Sequence, residues 1–379
     1  MQILAVDVGT GTQDIYLFQQ GISPENGFKM VMPSPTMMVR RQVQEATKQG
    51  RALLLQGVTM GGGPSHWAVE AHLKAGLKVY ATPEAARTFN DDLEWVAGEM
   101  GVEIISSDEA GQLKDVERFT LRDFDYQQIA AAFDGFGVDL DPSAVAVAVF
   151  DHGAAPPGYS DRQFRFDYLN QRISQANRLS AFAFHAGDIP PIMTRMQAVA
   201  NSAAGFEAPL VVMDTAPAAV LGATLDPAVA DRERIMVVNV GNFHTLAFRL
   251  GPSGIEAVFE HHTGLLDSER LDHYLLELAS GQLTHEEVFK DHGHGALVRH
   301  ERPLDLSIDG YQVAVTGPRR AMMEKSRLRT HMAVPYGDMM IAGCFGLLRA
   351  TADLIPDLAS PIMQALNGEQ PQQAPWDVV

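Results

Sequence analysis

Two sixteen-residue stretches, far apart in a chain of 379 residues, share one rhythm, and this repeat limits the possible folds more than any other feature. The first is Ile3-Leu4-Ala5-Val6-Asp7-Val8-Gly9-Thr10-Gly11-Thr12-Gln13-Asp14-Ile15-Tyr16-Leu17-Phe18. It reads as an apolar strand, a tight glycine-bearing turn and a second strand with rough alternation. The other is Ile235-Met236-Val237-Val238-Asn239-Val240-Gly241-Asn242-Phe243-His244-Thr245-Leu246-Ala247-Phe248-Arg249-Leu250. Ile3, Val6, Val8 and Gly9 fall on Ile235, Val238, Val240 and Gly241, while Asp7 falls on Asn239. Two such hairpins predict duplicated domains facing each other across a shared cleft. Asp7 ends its strand, where a carboxylate can hold a hydrated cation. Gly9 and Gly11 let amides near Thr10 and Thr12 converge on an anion. One such hairpin alone is more often structural than functional.

A chain of this length can build two sizeable cores. Its 47 acidic and 29 basic residues give a formal charge of −18, which repels phosphate backbones and anionic lipid. Nucleic acid and membranes are therefore not expected partners, although backbone amides can still form a local anion site. Cys344 is the only cysteine, which excludes intrachain disulfides and thiolate clusters. Met1 runs directly into a strand, and no apolar run approaches the roughly 20 residues that span a bilayer. A cytoplasmic protein is the expectation.

Lys29 to Val39 reads as a third strand, interrupted or at an edge because of Pro33 and Pro35. Ala52 to Leu55, a helix from Pro64 and Leu77 to Ala81 predict a βαβ unit. Its Gly61-Gly62-Gly63 loop is either an anion cradle or a flexible turn. Residues 83–100 and 125–135 read as helical. The alanine- and valine-rich run Ala144 to Phe150 predicts a strand buried on both faces, ending in Asp151-His152-Gly153. Polar residues there lie where open α/β sheets place their ligands, so Asp151 and His152 are candidate catalytic residues. Asp214 could cap the small-residue helix that follows Leu210 to Met213. His261, His262, His273, His285, His292, His294 and His300 crowd one region, with His292 and His294 as an HxH pair. Tyr311 to Val315 leads into Thr316-Gly317-Pro318-Arg319-Arg320, and a Pro/Gln-rich tail from Asn367 is expected to be disordered.

Together these residues resemble the actin-like ATPase superfamily. Asp7 to Thr12 is similar to its first phosphate motif and Asn239 to Thr245 to its second. Asp214 to Leu221 is similar to the connecting helix, Val313 to Pro318 to the adenosine motif, and Met340 to Leu347 to the closing glycine-rich helix. The resemblance implies an α/β protein of two ribonuclease-H-like domains with ATP and Mg2+ in the cleft between them. Domain I would span 1–160, completed by a C-terminal helix at 336–366. Domain II would span 161–335, with a disordered tail at 367–379. Asp7, and Asn239 through water, would hold the metal. Gly9, Thr10, Gly11, Thr12, Gly241, Asn242, His244 and Thr245 would clasp phosphates, and Gly317, Pro318 and Arg319 would flank the nucleotide. Asp151, with His152, would take the place of the general base or water-positioning group.

The second motif departs from the pattern, with neutral Asn239 for the usual aspartate and Phe243 and His244 in a turn that is commonly glycine-rich. More narrowly, Thr59 to Pro64, Gly241 to Thr245, His261 to Gly264 and Gly337 to Met340 resemble an uncharacterised prokaryotic family. Some of its members carry the label pyruvate formate-lyase activating enzyme. That chemistry needs three nearby cysteines to hold an iron–sulfur cluster, and Cys344 alone cannot supply them. The leading expectation is an ATP-binding phosphotransferase or ATPase acting on an unidentified small molecule. A non-catalytic nucleotide- or anion-binding regulatory module is the alternative, and a metalloenzyme using the histidines near 261–300 is a third. Dimerisation is common in this fold, which makes a homodimer the assembly to test.

Overall fold

The computed structural model describes residues 1–203, 205–300, 302–307 and 310–369. β1 (Gln2–Val8) and β2 (Thr12–Gln19) pair antiparallel with Asp7 opposite Asp14, and β3 (Phe28–Pro33) pairs beside β2. The strand expected to reach Val39 stops at Pro33, and a helix spans Pro35–Lys48. Pro35 takes the first helical position, where no amide is needed and its fixed φ suits the helix.

Next comes a separate parallel sheet of β4 (Ala52–Gly57), β5 (Val79–Ala81), β6 (Glu103–Ile104) and β7 (Val116–Leu121), in the order β6–β5–β4–β7. The expected βαβ unit is present, with helix Pro64–Lys74 between β4 and β5. It belongs to this inserted unit, whose own core includes Val43, Leu53, Val69 and Ala81. The stretch 83–100 is helical only in short pieces.

β8 (Ala144–Val149) returns to lie parallel with β1, and all six of its residues are buried, as a strand covered on both faces requires. β9 (Ala183–His185) and β10 (Leu210–Asp214) complete the first sheet in the order β3–β2–β1–β8–β10–β9. A domain boundary at 160/161 therefore fails. β10 hydrogen-bonds in register with β8, Leu210 beside Val145, so the first sheet draws on residues up to Asp214. The chain leaves it through helix Thr215–Ala223, which Asp214 caps through the amide of Ala216.

The second sheet comprises β11 (Ile235–Val240), β12 (His244–Gly251), β13 (Gly254–His262), β14 (Gly295–Val298), β15 (Val313–Thr316) and β16 (Thr330–Met332), in the order β14–β13–β12–β11–β15–β16. Each sheet has an antiparallel meander whose first strand carries parallel strands on its other flank. This is the ribonuclease-H-like order, present twice. The α/β architecture is that of the actin-like ATPases.

One apolar core joins the sheets, from Leu4, Val6, Val145 and Val212 to Val237, Phe248 and Val258. Helices Ala342–Leu354 and Pro356–Leu366 cover the opposite face of the first sheet through Phe345, Leu348 and Ile362. Helix Ala342–Leu354 also crosses helix Thr215–Ala223 at Gly222 and Gly346, where an added Cβ would overlap the facing backbone. The tail expected to be disordered lies outside the described residues from 370 onward. Among the described residues no helix is long and apolar enough to cross a membrane.

Candidate functional site

Both hairpins close in the same way. Gly9 donates its amide to the Thr12 carbonyl and Gly241 to the His244 carbonyl, each at 2.9 Å. Each turn is also pinned by the residue following its third strand. Ser34 donates its amide to Gly11 O at 3.2 Å, and Thr263 donates to Phe243 O at 2.8 Å. The two turns meet across the cleft, where a Cβ on Gly11 would lie 2.6 Å from Asn242 Nδ2. Between them lies a cavity of about 340 Å³, within the range of small-molecule sites.

Of the residues singled out in the sequence, Asp7, Gly9, Thr10, Thr12, Asp151, His152, Asn239, Gly241, Asn242, His244, Gly317 and Pro318 line this cavity. Gly11, Thr245 and Arg319 do not. Gly11 packs against the facing turn, as above. Thr245 is fully buried, with its hydroxyl 2.9 Å from that of Thr263. Arg319 donates its amide to Val240 O at 3.0 Å, which ties the turn after β15 to β11. Gly317 sits at φ +97 against Asn239 and Val240, a conformation and a closeness that require glycine. The Gly61–Gly63 loop of the inserted unit forms a third wall.

Asp7 is almost wholly buried and accepts a hydrogen bond from the Thr215 hydroxyl at 2.6 Å. Burial pushes its carboxyl up to about 6, the Thr215 bond opposes this, and the charge of Asp214 adds to it. Gly343 packs against the same carboxylate so closely that no side chain fits there. Asp14 was not among the residues singled out, yet it lines the cavity beside Asp7. Burial and the Asp7 charge push its carboxyl up to about 8, and its Oδ1 is buried without a hydrogen-bond partner. The sequence held the signal: in a hairpin that pairs Val8 with Gln13, Asp7 and Asp14 are cross-strand neighbours on one face.

Asp151 is engaged differently from a free general base. Its Oδ1 accepts from the Gly153 amide at 2.9 Å, and its Oδ2 from the amides of Arg195 and Met196 at 3.0 and 2.9 Å. It thus holds the start of helix Thr194–Ser202. Burial raises its pKa despite these amides. Close by, the fully buried Arg165 of helix Asp161–Gln175 donates to Asp214, to Glu260 at 3.2 Å and to the Asp151 carbonyl at 3.0 Å. One side chain therefore ties both sheets together.

Of the histidines between 261 and 300 only His262 and His294 come together among the described residues, with ring centroids 4.7 Å apart, and His262 also lies 5.2 Å from His244. His261 bonds to the Asp291 carbonyl, His273 to Glu287 and His285 to Gln163, while His292 is exposed. His294 instead turns inward to His152 and His244. The ligand-capable atoms of these three lie within 4.8 Å of one another, with His152 Nε2 3.1 Å from His294 Nε2. Burial lowers the pKa of all three, taking His152 to about 3, so each imidazole is neutral. Sequence spacing could not reveal this triad, since its members come from three distant parts of the chain: two loops and the start of β12.

A model of the family described as "Putative pyruvate format-lyase activating enzyme (DUF1786)" matches residues 60–322. No curated protein matches the sequence. Among solved structures, the chain is similar to the ethanolamine utilization protein EutJ from Carboxydothermus hydrogenoformans, at 11% identity over 92% of this chain and 89% of that one, with a TM-score of 0.29. It is also similar to the Ppx/GppA phosphatase of Aquifex aeolicus, at 10% identity over 84% and 68%, with a TM-score of 0.23. ROK hexokinase from Thermus thermophilus is similar at 11% identity over 97% and 88%, again with a TM-score of 0.23. Similarity this low assigns neither ligand nor activity.

Proposed function

The chain belongs to the family of that description, and for a member with this cleft we propose ATP binding with Mg2+ between the paired hairpin turns. The described activity is not part of the proposal. Iron–sulfur clusters are held by cysteine thiolates, and Cys344 is a single buried thiol directed at the carbonyls of Ala5 and Asp14. The observation that carries the proposal is the double hairpin: two turns with the same closure and the same pinning contact face one cavity.

The unpartnered Asp14 Oδ1 beside Asp7 fits a hydrated divalent cation, a hard ion that prefers oxygen ligands. Asp7 and Asp14 would hold it, and Asn239 would contact its water shell. Bound Mg2+ would neutralise charge on the phosphates. The Thr215 hydroxyl steadies Asp7, while Gly343 leaves room for its carboxylate. Beyond the amides of Gly9 and Gly241, which close the turns, backbone amides at 10–12 and 242–243 suit the phosphate oxygens, and Thr316 to Pro318 flank the nucleoside.

The engagement of Asp151 favours a second reading alongside turnover, a module that closes on nucleotide without transferring its phosphate. Isothermal titration with ATP and Mg2+ tests the binding. One site per chain is expected, weakened at least about tenfold in Asp7→Ala, and no heat at millimolar nucleotide would sink the proposal. Phosphate release followed over hours separates an ATPase from a binding module.

A further inference from the structure

We propose that His152, His244 and His294 form a transition-metal site of the zinc class in the inner wall of the cleft, with one coordination position open to the cavity. It is a different site from the carboxylate pair on the first hairpin and does not depend on nucleotide binding.

The geometry comes first. Tetrahedral zinc with Zn–N bonds of about 2.0–2.1 Å holds neighbouring nitrogens about 3.3 Å apart. His152 Nε2 and His294 Nε2 lie 3.1 Å apart, and the ligand atoms of all three histidines fall within 4.8 Å of one another. His244 is fixed by stacking on Phe150, with ring centroids 4.2 Å apart, and its Nε2 is buried without a hydrogen-bond partner. An orphaned buried nitrogen is costly unless something occupies its lone pair or takes its proton.

Next come the surroundings. His294 Nδ1 and Glu260 Oε1 are both buried without partners and face each other at 3.6 Å. A proton on Nδ1 directed at Glu260 leaves the Nε2 lone pair facing His152. A closer approach on metal binding would make this the carboxylate–histidine pairing that orients metal-bound imidazoles. Arg165 steadies Glu260 from the other side.

Finally, access. His152 and His244 line the cavity, while His294 lies behind them. Three imidazoles at the wall of an open cleft leave a position for water or a ligand oxygen, as in zinc sites that do chemistry rather than hold a fold together.

The test uses the full chain, stripped of metal by chelator after removal of any tag, and titrated with Zn2+ and, for its visible spectrum, Co2+. One Zn2+ per chain is expected, with a Co2+ absorption typical of low coordination number. His152→Ala and His294→Ala should weaken binding at least about 100-fold and Glu260→Gln about 10–100-fold. If the buried His294→Ala variant fails to fold, His244→Gln at the partly exposed turn provides the same readout, with melting of the metal-free proteins as the control. Sub-stoichiometric zinc in the wild type, or unchanged affinity in folded variants, would overturn the site and show the close histidines to be hydrogen-bonded to each other only. ATP titrations on the same samples separate the two proposals: zinc binding without ATP binding upholds the metal site alone, and ATP binding without zinc ends it.

Discussion

Leucine occupies in the second hairpin the position that Asp14 holds in the first, because Asp7 and Asp14 correspond to Asn239 and Leu246. The first hairpin therefore brings two carboxylates to the cleft and the second brings none. Burial beside Asp7 disfavours the charged form of Asp14, so its ionised carboxylate costs stability, and the proposed cation would offset that cost. Asp14→Leu should raise the metal-free protein's stability at pH 8.5 by about 1–3 kcal/mol in urea titrations and remove the Mg2+ dependence of ATP binding. Asp151→Ala should do the reverse, costing about 1–2 kcal/mol through the lost helix-start contacts while leaving ATP affinity within about twofold. If ATP affinity instead collapsed in a stably folded Asp151 variant, the carboxylate would have a direct role. At this scale the sequence was partly legible. Asp7 and both glycine turns could be read from the repeat, whereas the spent valences of Asp151 depend on amides 44 and 45 residues downstream, which no local pattern records.

Elements show the same division. The hairpins, β8 and the helix after Asp214 were readable because their periodicity or run of apolar residues is local. The boundary placed at 160 was not, since nothing in β9 or β10 states which sheet they join; that is decided by long-range pairing with β8. The crossing of helices Thr215–Ala223 and Ala342–Leu354 depends on Gly222 and Gly346. Gly346→Ala forces a Cβ into the Ala218 carbonyl and should lower stability by about 1–3 kcal/mol, read as a fall in melting temperature. Close to this crossing, Asp226 caps one segment and reaches another. It accepts from the Ala228 amide at 3.0 Å, the Val334 amide at 2.9 Å and His331 at 3.0 Å. Burial alone would raise its pKa, but these partners outweigh burial and hold it below the ordinary carboxylate value. A lowered folded-state pKa contributes stability that is present above the unfolded value, near 3.9, and is lost as pH falls through the folded one. Asp226→Asn should therefore cost about 1–2 kcal/mol at pH 7, and the gap to wild type should shrink below about pH 4. Urea midpoints across that range would check it, and a gap that stayed constant into acid would refute the charge argument.

For the whole molecule, the feature hardest to foresee was the inserted sheet, because its strands read like ordinary members of the first domain. It brings Trp67 to the mouth of the cleft, where its ring lies 6.2 Å from Phe243 of the second turn, and half of Trp67 remains exposed. Nucleotide entering between the turns should shift Trp67 emission through its contact with Phe243, which lines the cavity, and Trp67→Phe should abolish most of that signal.

Arg165 has a mechanical consequence. Two lobes that swing apart must part at the surface between them, yet here that surface contains a guanidinium riveted to carboxylates of both sheets and far from water. Pulling the lobes open would strand at least one of those charges in an apolar setting, a penalty of several kcal/mol. The halves should therefore move as one block.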